Sequence, residues 1–290
     1  MTTLLKYILK IVQNSLLILS AFCCFEVSAH GDLLKRIHIA TEQIKAHPDS
    51  ANLYFQRAKL YYQHNELNNS LKDLKNSKKL GFKSIEYDFL IAKNHFKLNH
   101  LSASKRHIKK ILKSQPENVK AFKLLGQIHL KKGDFKKSAE SFEYVILYSD
   151  RVFPVNYIET SEAWYALKTE KGIESAKSIL LKGIAVFNDN IVLYNKLISI
   201  YEEVGDFSSA IKYQNIILNL SNRKEQGYLK LANLQILEKS YTEARNSLEL
   251  AKIYYSNLPN RIKTTNYMKS FLDELELKLN EIKFINDKIK

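Results

Sequence analysis

A residue small enough to let two helices touch returns at a fixed interval, and that interval restricts the fold more than any other feature of the chain. Ala58, Ala92 and Gly126 stand 34 residues apart, and Ile198 and Ala232 repeat the step. A second series, Ser70, Ser104, Ser138, Ala176, Ala210 and Ala244, keeps the same step except for 38 between Ser138 and Ala176. Large apolar residues follow at Leu74, Ile108, Phe142, Leu180 and Leu248. A period of this length marks the repetition of one supersecondary unit. Apolar residues recur with helical spacing around each marker, so the unit is a pair of amphipathic helices. The first pair is expected over Asn52–His64 and Leu67–Leu80. Each helix carries an apolar stripe wider than one partner covers, and only the next pair can keep it dry. Eight Gly and four Pro in 290 residues leave too few turns for a β-sandwich.

With Leu125-Gly126, Gly133-Asp134-Phe135, Gly205-Asp206-Phe207 and Pro116 in these positions, the chain resembles the tetratricopeptide repeat family over about residues 50 to 255. The resemblance implies an all-α fold: a right-handed α-α superhelical solenoid of about six helix pairs, with an N-terminal half-repeat and a C-terminal capping helix. The organisation expected is a leader over 1–29, a half-repeat helix over 30–48, the solenoid over 49–256 with an irregularity at 149–170, and a capping helix over 257–290. Asp32 caps the half-repeat helix, whose face is Leu33, Ile37, Thr41 and Ile44, and His47-Pro48 stops it. In the last segment Met268, Phe271, Leu275, Leu279, Ile282 and Ile285 form one stripe. That stripe covers the last repeat or pairs two copies as a coiled coil, so the chain is a monomer or a dimer through this helix.

The first 29 residues read as an export signal. Lys6 and Lys10 precede the uncharged run Ser15 to Phe25, and Val27-Ser28-Ala29 offers small residues for cleavage after Ala29. The expected location is the periplasm or the exterior; the alternative is a membrane anchor formed by the uncleaved helix. Both Cys of the chain lie in the leader, so the processed protein enters an oxidising compartment with no disulfide. The start His30-Gly31-Asp32-Leu33 is similar to that of exported bacterial repeat proteins.

The fourth repeat breaks the pattern. Four extra residues are expected before it, within Ser149 to Asn156, and Trp164, the single Trp, falls where other repeats have Ala, Gly or Ile. Trp164 marks either a local repacking or a bend that exposes Phe153, Trp164 and Tyr165 as a binding surface.

The net charge of +15 is concentrated in one stretch. Residues 72–137 hold 18 basic and five acidic side chains, whereas residues 138–290 hold 20 of each. On the second helix of repeat two, Lys105, Arg106, Lys109, Lys110 and Lys113 lie together with no acid among them. The family resemblance turns Lys59, Lys93, Lys97, Lys120, Lys123 and Lys131 toward the concave surface, with Phe55, Tyr62, Phe89 and Phe96 in the same groove. The expected function is a non-catalytic scaffold of the bacterial cell envelope that holds a segment of an acidic protein partner in that groove. The alternative is a binder of an anionic envelope polymer or lipid membrane surface through the Lys105–Lys113 face. A nucleic-acid partner is not expected, because the chain is exported and only seven of its 45 basic residues are Arg.

Some members of the family clamp a terminal carboxylate with Lys, Asn and Arg. The matching positions here are Phe55, Lys59, Leu90, Lys120 and Leu124, so the Asn and Arg are missing. No phosphate loop, zinc-helix motif or nucleophile elbow is present, and no enzyme activity or cofactor is expected. His95 and His129 sit at equivalent sites that usually hold an aromatic, too far apart to share an ion. His30 would become the new amino terminus, but its nearest second imidazole, His38, is two turns on, and no metal site is expected.

Overall fold

The structure is a computed structural model that describes residues 32–289, so the leader and its cleavage site lie outside the described residues. Those residues form fifteen helices and no strand. α1 covers 32–46. The pairs expected from the period follow as α2 (Ala51–Gln63) with α3 (Leu67–Lys79), and α4 (Ile85–Lys97) with α5 (Leu101–Ser114). After them come α6 (Val119–Lys131), α7 (Phe135–Tyr148), α8 (Pro154–Tyr165), α9 (Glu170–Phe187), α10 (Ile191–Glu203) and α11 (Phe207–Leu220). The chain ends with α12 (Glu225–Leu237), α13 (Tyr241–Ser256), α14 (Asn260–Lys263) and α15 (Asn266–Ile289). Two compact units result, one ending at Lys132 and the other beginning at Gly133.

Local chemistry explains where the helices begin. Side chains of Ser84, Asn118, Asn190 and Asp206 accept a hydrogen bond from the backbone N–H three residues on, supplying a partner to one of the first-turn donors. Each turn between paired helices uses one left-handed residue. These are Asn65, Asn99, Gly133, Lys168, Gly205 and Lys239, with φ between 53° and 77°. Gly and Asn take this conformation readily, whereas the two Lys adopt it at a cost.

In the first unit the small markers make the contact their spacing predicts. Ala58, Ala92, Ser70 and Ser104 are fully buried. Ser70 Oγ donates to the Ala58 carbonyl at 2.8 Å, and Ser104 Oγ donates to the Ala92 carbonyl at 2.8 Å. A hydroxyl reaches a helix backbone only where the facing residue has no bulk, so Ala and Ser are one requirement seen from two sides. Leu74 and Ile108 fill the space beside each crossing. α1 lays Ile37 and Ala40 on Leu60. Arg57 ties it down, donating to both oxygens of Asp73 at 2.7 and 2.8 Å and to Thr41 Oγ1 at 3.0 Å. The bidentate Asp73 contact holds the Arg57 guanidinium above its usual pKa.

The second unit corrects the reading of the fourth repeat. Seven residues before each left-handed turn stand Ala58, Ala92, Gly126, Ser161, Ile198 and Ala232, all buried. The close-crossing residue of repeat four is therefore Ser161, not Trp164. Trp164 falls where Tyr61, His95, His129 and Tyr201 stand, three residues after the marker. It is half-buried there, and its indole N–H donates to Glu143 at 2.8 Å. The turn steps are 35 from Gly133 to Lys168 and 37 from Lys168 to Gly205. One extra residue thus lies before Lys168, where the loop between α7 and α8 is longer, and three lie after it, in the 18-residue α9. The four extra residues are not all ahead of the repeat.

The last segment also differs from expectation. It is not one continuous helix over 257–290: α14 ends at Lys263, and Thr265 Oγ1 accepts from the Met268 N–H at 3.3 Å to start α15. Met268, Phe271, Leu275 and Ile282 are buried and pack with Leu248 and Ala251 of α13. These four residues of the stripe cover the last repeat, as a capping helix does.

Replacing Ala92 by Leu drives a side chain into the Ser104 hydroxyl and the α5 backbone. The expected loss is about 3 kcal/mol, at the upper end of overpacking, measured by denaturant unfolding. Leu147→Ala, at a residue 73% exposed, serves as the silent control.

Candidate functional site

In the first unit α2, α4 and α6 lie side by side, and each contributes residues to one shared surface. They form an open groove of ≈ 360 Å³ lined by Tyr62, Phe89, Lys93, Phe96, Lys97, Lys120, Lys123, Leu124 and Gln127. A smaller depression continues it over Lys59, Gln63, Glu86 and Leu90, sharing Tyr62, Phe89 and Lys93. The structure thus brings eight of the ten predicted groove residues into one surface. Lys131 stands beside it, its Nζ 4.4 Å from the Phe96 ring centre.

Phe55 does not belong to the groove. It is 1% exposed, and its ring stacks on Phe82 with centroids 4.5 Å apart. Phe55 is a core residue because Phe82, from the loop after α3, covers its ring and Leu74, Tyr87 and Leu90 pack around it. Phe89, its equivalent in α4, remains half-buried and reaches the groove.

The groove rings are covered by ammonium groups. Lys93 Nζ lies 4.7 Å from the Phe89 centroid and Lys97 Nζ 4.5 Å from that of Tyr62. The Lys97–Tyr62 and Lys131–Phe96 contacts each span 35 residues, so one arrangement is used twice. Cations held against aromatic faces keep a defined position. Lys59 pairs with Glu86 at 2.9 Å, and Lys97 donates to the neutral Asn65 Oδ1 at 3.3 Å. Burial, and after it the charge of Lys120, pulls the Lys93 ammonium below the usual lysine range.

The Lys105–Lys113 face is less uniform than its sequence. Lys110 donates to Asp88 at 2.7 Å, and Asp88 is also 3.3 Å from His107 Nδ1. The acid missing from α5 itself is supplied by α4. Lys105 is half-buried, while Arg106, Lys109 and Lys113 are exposed. The sequence also gave no sign that Glu86 would partner Lys59. Such pairs join residues 22 and 27 positions apart on different helices, and only a repeat register aligned residue by residue exposes them.

The corresponding surface of the second unit is self-paired. Lys196 binds Glu162 at 2.8 Å, and the Tyr165 hydroxyl donates to Glu203 at 2.6 Å, with Lys168 at 3.8 Å from the same carboxylate. That hydrogen bond pushes the Tyr165 phenol up to about 12. Tyr165 and Trp164 are thus engaged in packing, whereas Phe153 is 47% exposed. Among the described residues no group of His, Asp and Glu is placed to hold a metal ion, and no helix is long and apolar enough to cross a membrane.

No family model matches the chain, and no curated protein matches its sequence. Solved structures do. The C-terminal part of a TPR repeat-containing protein from Cytophaga hutchinsonii is 13% identical with a TM-score of 0.65, covering 82% of this chain and 96% of its own. A tetratricopeptide repeat protein from Parabacteroides merdae is 12% identical with a TM-score of 0.54, covering 87% and 95%. MamA from residue 41 to its end, from Desulfovibrio magneticus, is 16% identical with a TM-score of 0.51, covering 59% and 94%. The fold is that of tetratricopeptide repeat solenoids.

Lys93→Met removes a half-buried cation facing another cation while keeping its stem against Phe89. Because the ammonium is held below its unfolded pKa, its cost is present at neutral pH and disappears only once pH exceeds that of an ordinary lysine. The variant is expected to melt roughly 2 °C higher at pH 7, and the difference should vanish near pH 11, as followed by circular dichroism.

Proposed function

We propose that this protein is a non-catalytic scaffold that holds an extended, acidic segment of a partner protein in the groove of α2, α4 and α6. The tetratricopeptide fold supports a protein-interaction role in general. The observation that carries the sharper reading is Lys93, half-buried between the Phe89 ring and Lys120 with no acid acting on it among the described residues. A chain that needed only stability would have an apolar residue or a paired cation there. A carboxylate arriving in the groove would relieve the repulsion between Lys93 and Lys120, and the aromatic floor of Tyr62, Phe89 and Phe96 would receive the apolar side chains beside it. The alternative anion surface on α5 is weaker support for binding, since Asp88 already neutralises Lys110.

We place this activity in the bacterial cell envelope, after removal of the leader. The mature chain isolated from its own host is expected to begin at His30, read by N-terminal sequencing; a protein still starting at Met1 would favour the membrane-anchored alternative.

Poly-L-aspartate is a suitable probe of the groove. Replacing Lys93, Lys120 and Lys123 together by Gln should weaken its binding at least about tenfold, and raising salt from low to physiological concentration should weaken it in the wild type. Replacing Arg106, Lys109 and Lys113 by Gln should change it less than about twofold. Equal losses in both variants would transfer the site to the α5 face, and salt-independent binding would end the electrostatic reading.

A further inference from the structure

Behind the groove, on the side of α4 that faces α5, three imidazoles meet. The ring centres of His95 and His100 are 5.8 Å apart, and those of His95 and His107 are 6.0 Å apart and nearly parallel. His95 Nδ1 is buried and has no hydrogen-bond partner. His107 has Asp88, at 3.3 Å, and Asp88 is shared with Lys110.

We propose that this cluster is an acid-sensitive latch: it closes α4 on α5 while its rings are neutral and loosens the pair, and the groove with it, when the surroundings acidify. Its effect on binding rests on the groove reading above; the latch itself does not.

The charges around His95 all point one way. α5 contributes Arg106 and His107, and the turn between the helices contributes His100; each disfavours a proton on His95, after the larger effect of burial. On α4, Asp88 favours the charged form of His107, while burial, Arg106 and Lys110 oppose it, and the balance still lowers that ring's pKa. α6, which packs on both helices, carries the buried His129. Among the described residues no carboxylate acts on His95. The sign follows. Rings held below their unfolded pKa bind protons more readily in the open chain, so the closed pair is fully stable above about pH 6.5 and loses stability as pH falls below it. Moving α5 away lets water reach Nδ1 and separates the rings. α4 presents Phe89, Lys93 and Phe96 to the groove, so a loosened α4 unsettles the binding surface.

Simple electrostatics gives the opposite expectation, because added protons make the chain more cationic and a better binder of anions. The two are separable on the full-length protein. Hydrogen exchange, corrected for intrinsic rate, should show α4 and α5 amides losing protection about tenfold more than α12 and α13 between pH 7.5 and 5.5. His95→Tyr, which installs the residue that Tyr61 and Tyr201 provide at equivalent positions, should reduce that difference to the smaller part that His107 supplies. Poly-L-aspartate affinity should fall about tenfold over the same range in the wild type and hold or rise in the variant. If the variant does not fold, an NMR titration of the wild-type His95 ring decides: it should be protonated in step with the loss of protection. Protection that stays uniform to pH 5.5, or falls equally in His95→Tyr, overturns the latch. Absence of poly-L-aspartate binding at pH 7.5 overturns the groove reading alone, and the exchange result still decides the latch.

Discussion

The close crossing of paired helices governs the rest of the structure. Ser70 and Ser104 each add a hydrogen bond to a carbonyl that already belongs to a helix, and they reach it because Ala58 and Ala92 present only a methyl group. Fixing that contact fixes the rotation of the helix about its axis. The residue after each marker is then turned away from the partner helix, and this is how Lys59, Lys93 and Gln127 come to line one surface. These three need no separate device to position them. They inherit their direction from a small buried neighbour one step back in the chain.

This coupling explains what the sequence disclosed and what it withheld. Fold and period were legible, because a 34-residue step and small residues at the crossings are local patterns; the direction of the groove residues came only with the family resemblance. The fourth repeat was misread because its marker was counted from the wrong anchor. The left-handed turn, not the residue type, keeps register, and at Lys168 it carries neither Gly nor Asn. Phe55 was misplaced for a different reason: it shares its position with Phe89, but Phe82 covers its ring. Repeat positions give direction, and burial depends on what the adjoining loop supplies. The His cluster is not legible in the sequence, because only the α4–α5 turn folds His100 and His107 back on His95.

The two units show that one scaffold can treat the same positions in opposite ways. In the second unit Glu162 occupies the site after the marker, and a lysine 34 residues on neutralises it. Tyr165, Ser199 and Glu203 form a similar bridge between α8 and α10. These bonds join adjacent helices of one surface to each other and leave little unspent charge. In the first unit the same sites hold Lys59 and Lys93, and only Lys59 has a carboxylate beside it among the described residues. The difference costs stability and is concentrated where the sequence holds 18 basic and five acidic residues.

Separating the residues that build the fold from those that line the groove has a further consequence. Three positions after the marker, Tyr61, Trp164 and Tyr201 place a flat side chain, although Gln235 stands there in the last repeat. Imidazole satisfies the same shape. At His95 the substitution preserves the packing while adding a group that can take up a proton where no acceptor is available. The groove side and the packing side of α4 can therefore vary independently, one tuning what is held and the other tuning when it is held. A helix that exposed both faces to solvent would gain nothing from the exchange, since a hydrated imidazole titrates without moving its neighbours. Burial between α4 and α5 is what gives protonation of His95 a mechanical consequence.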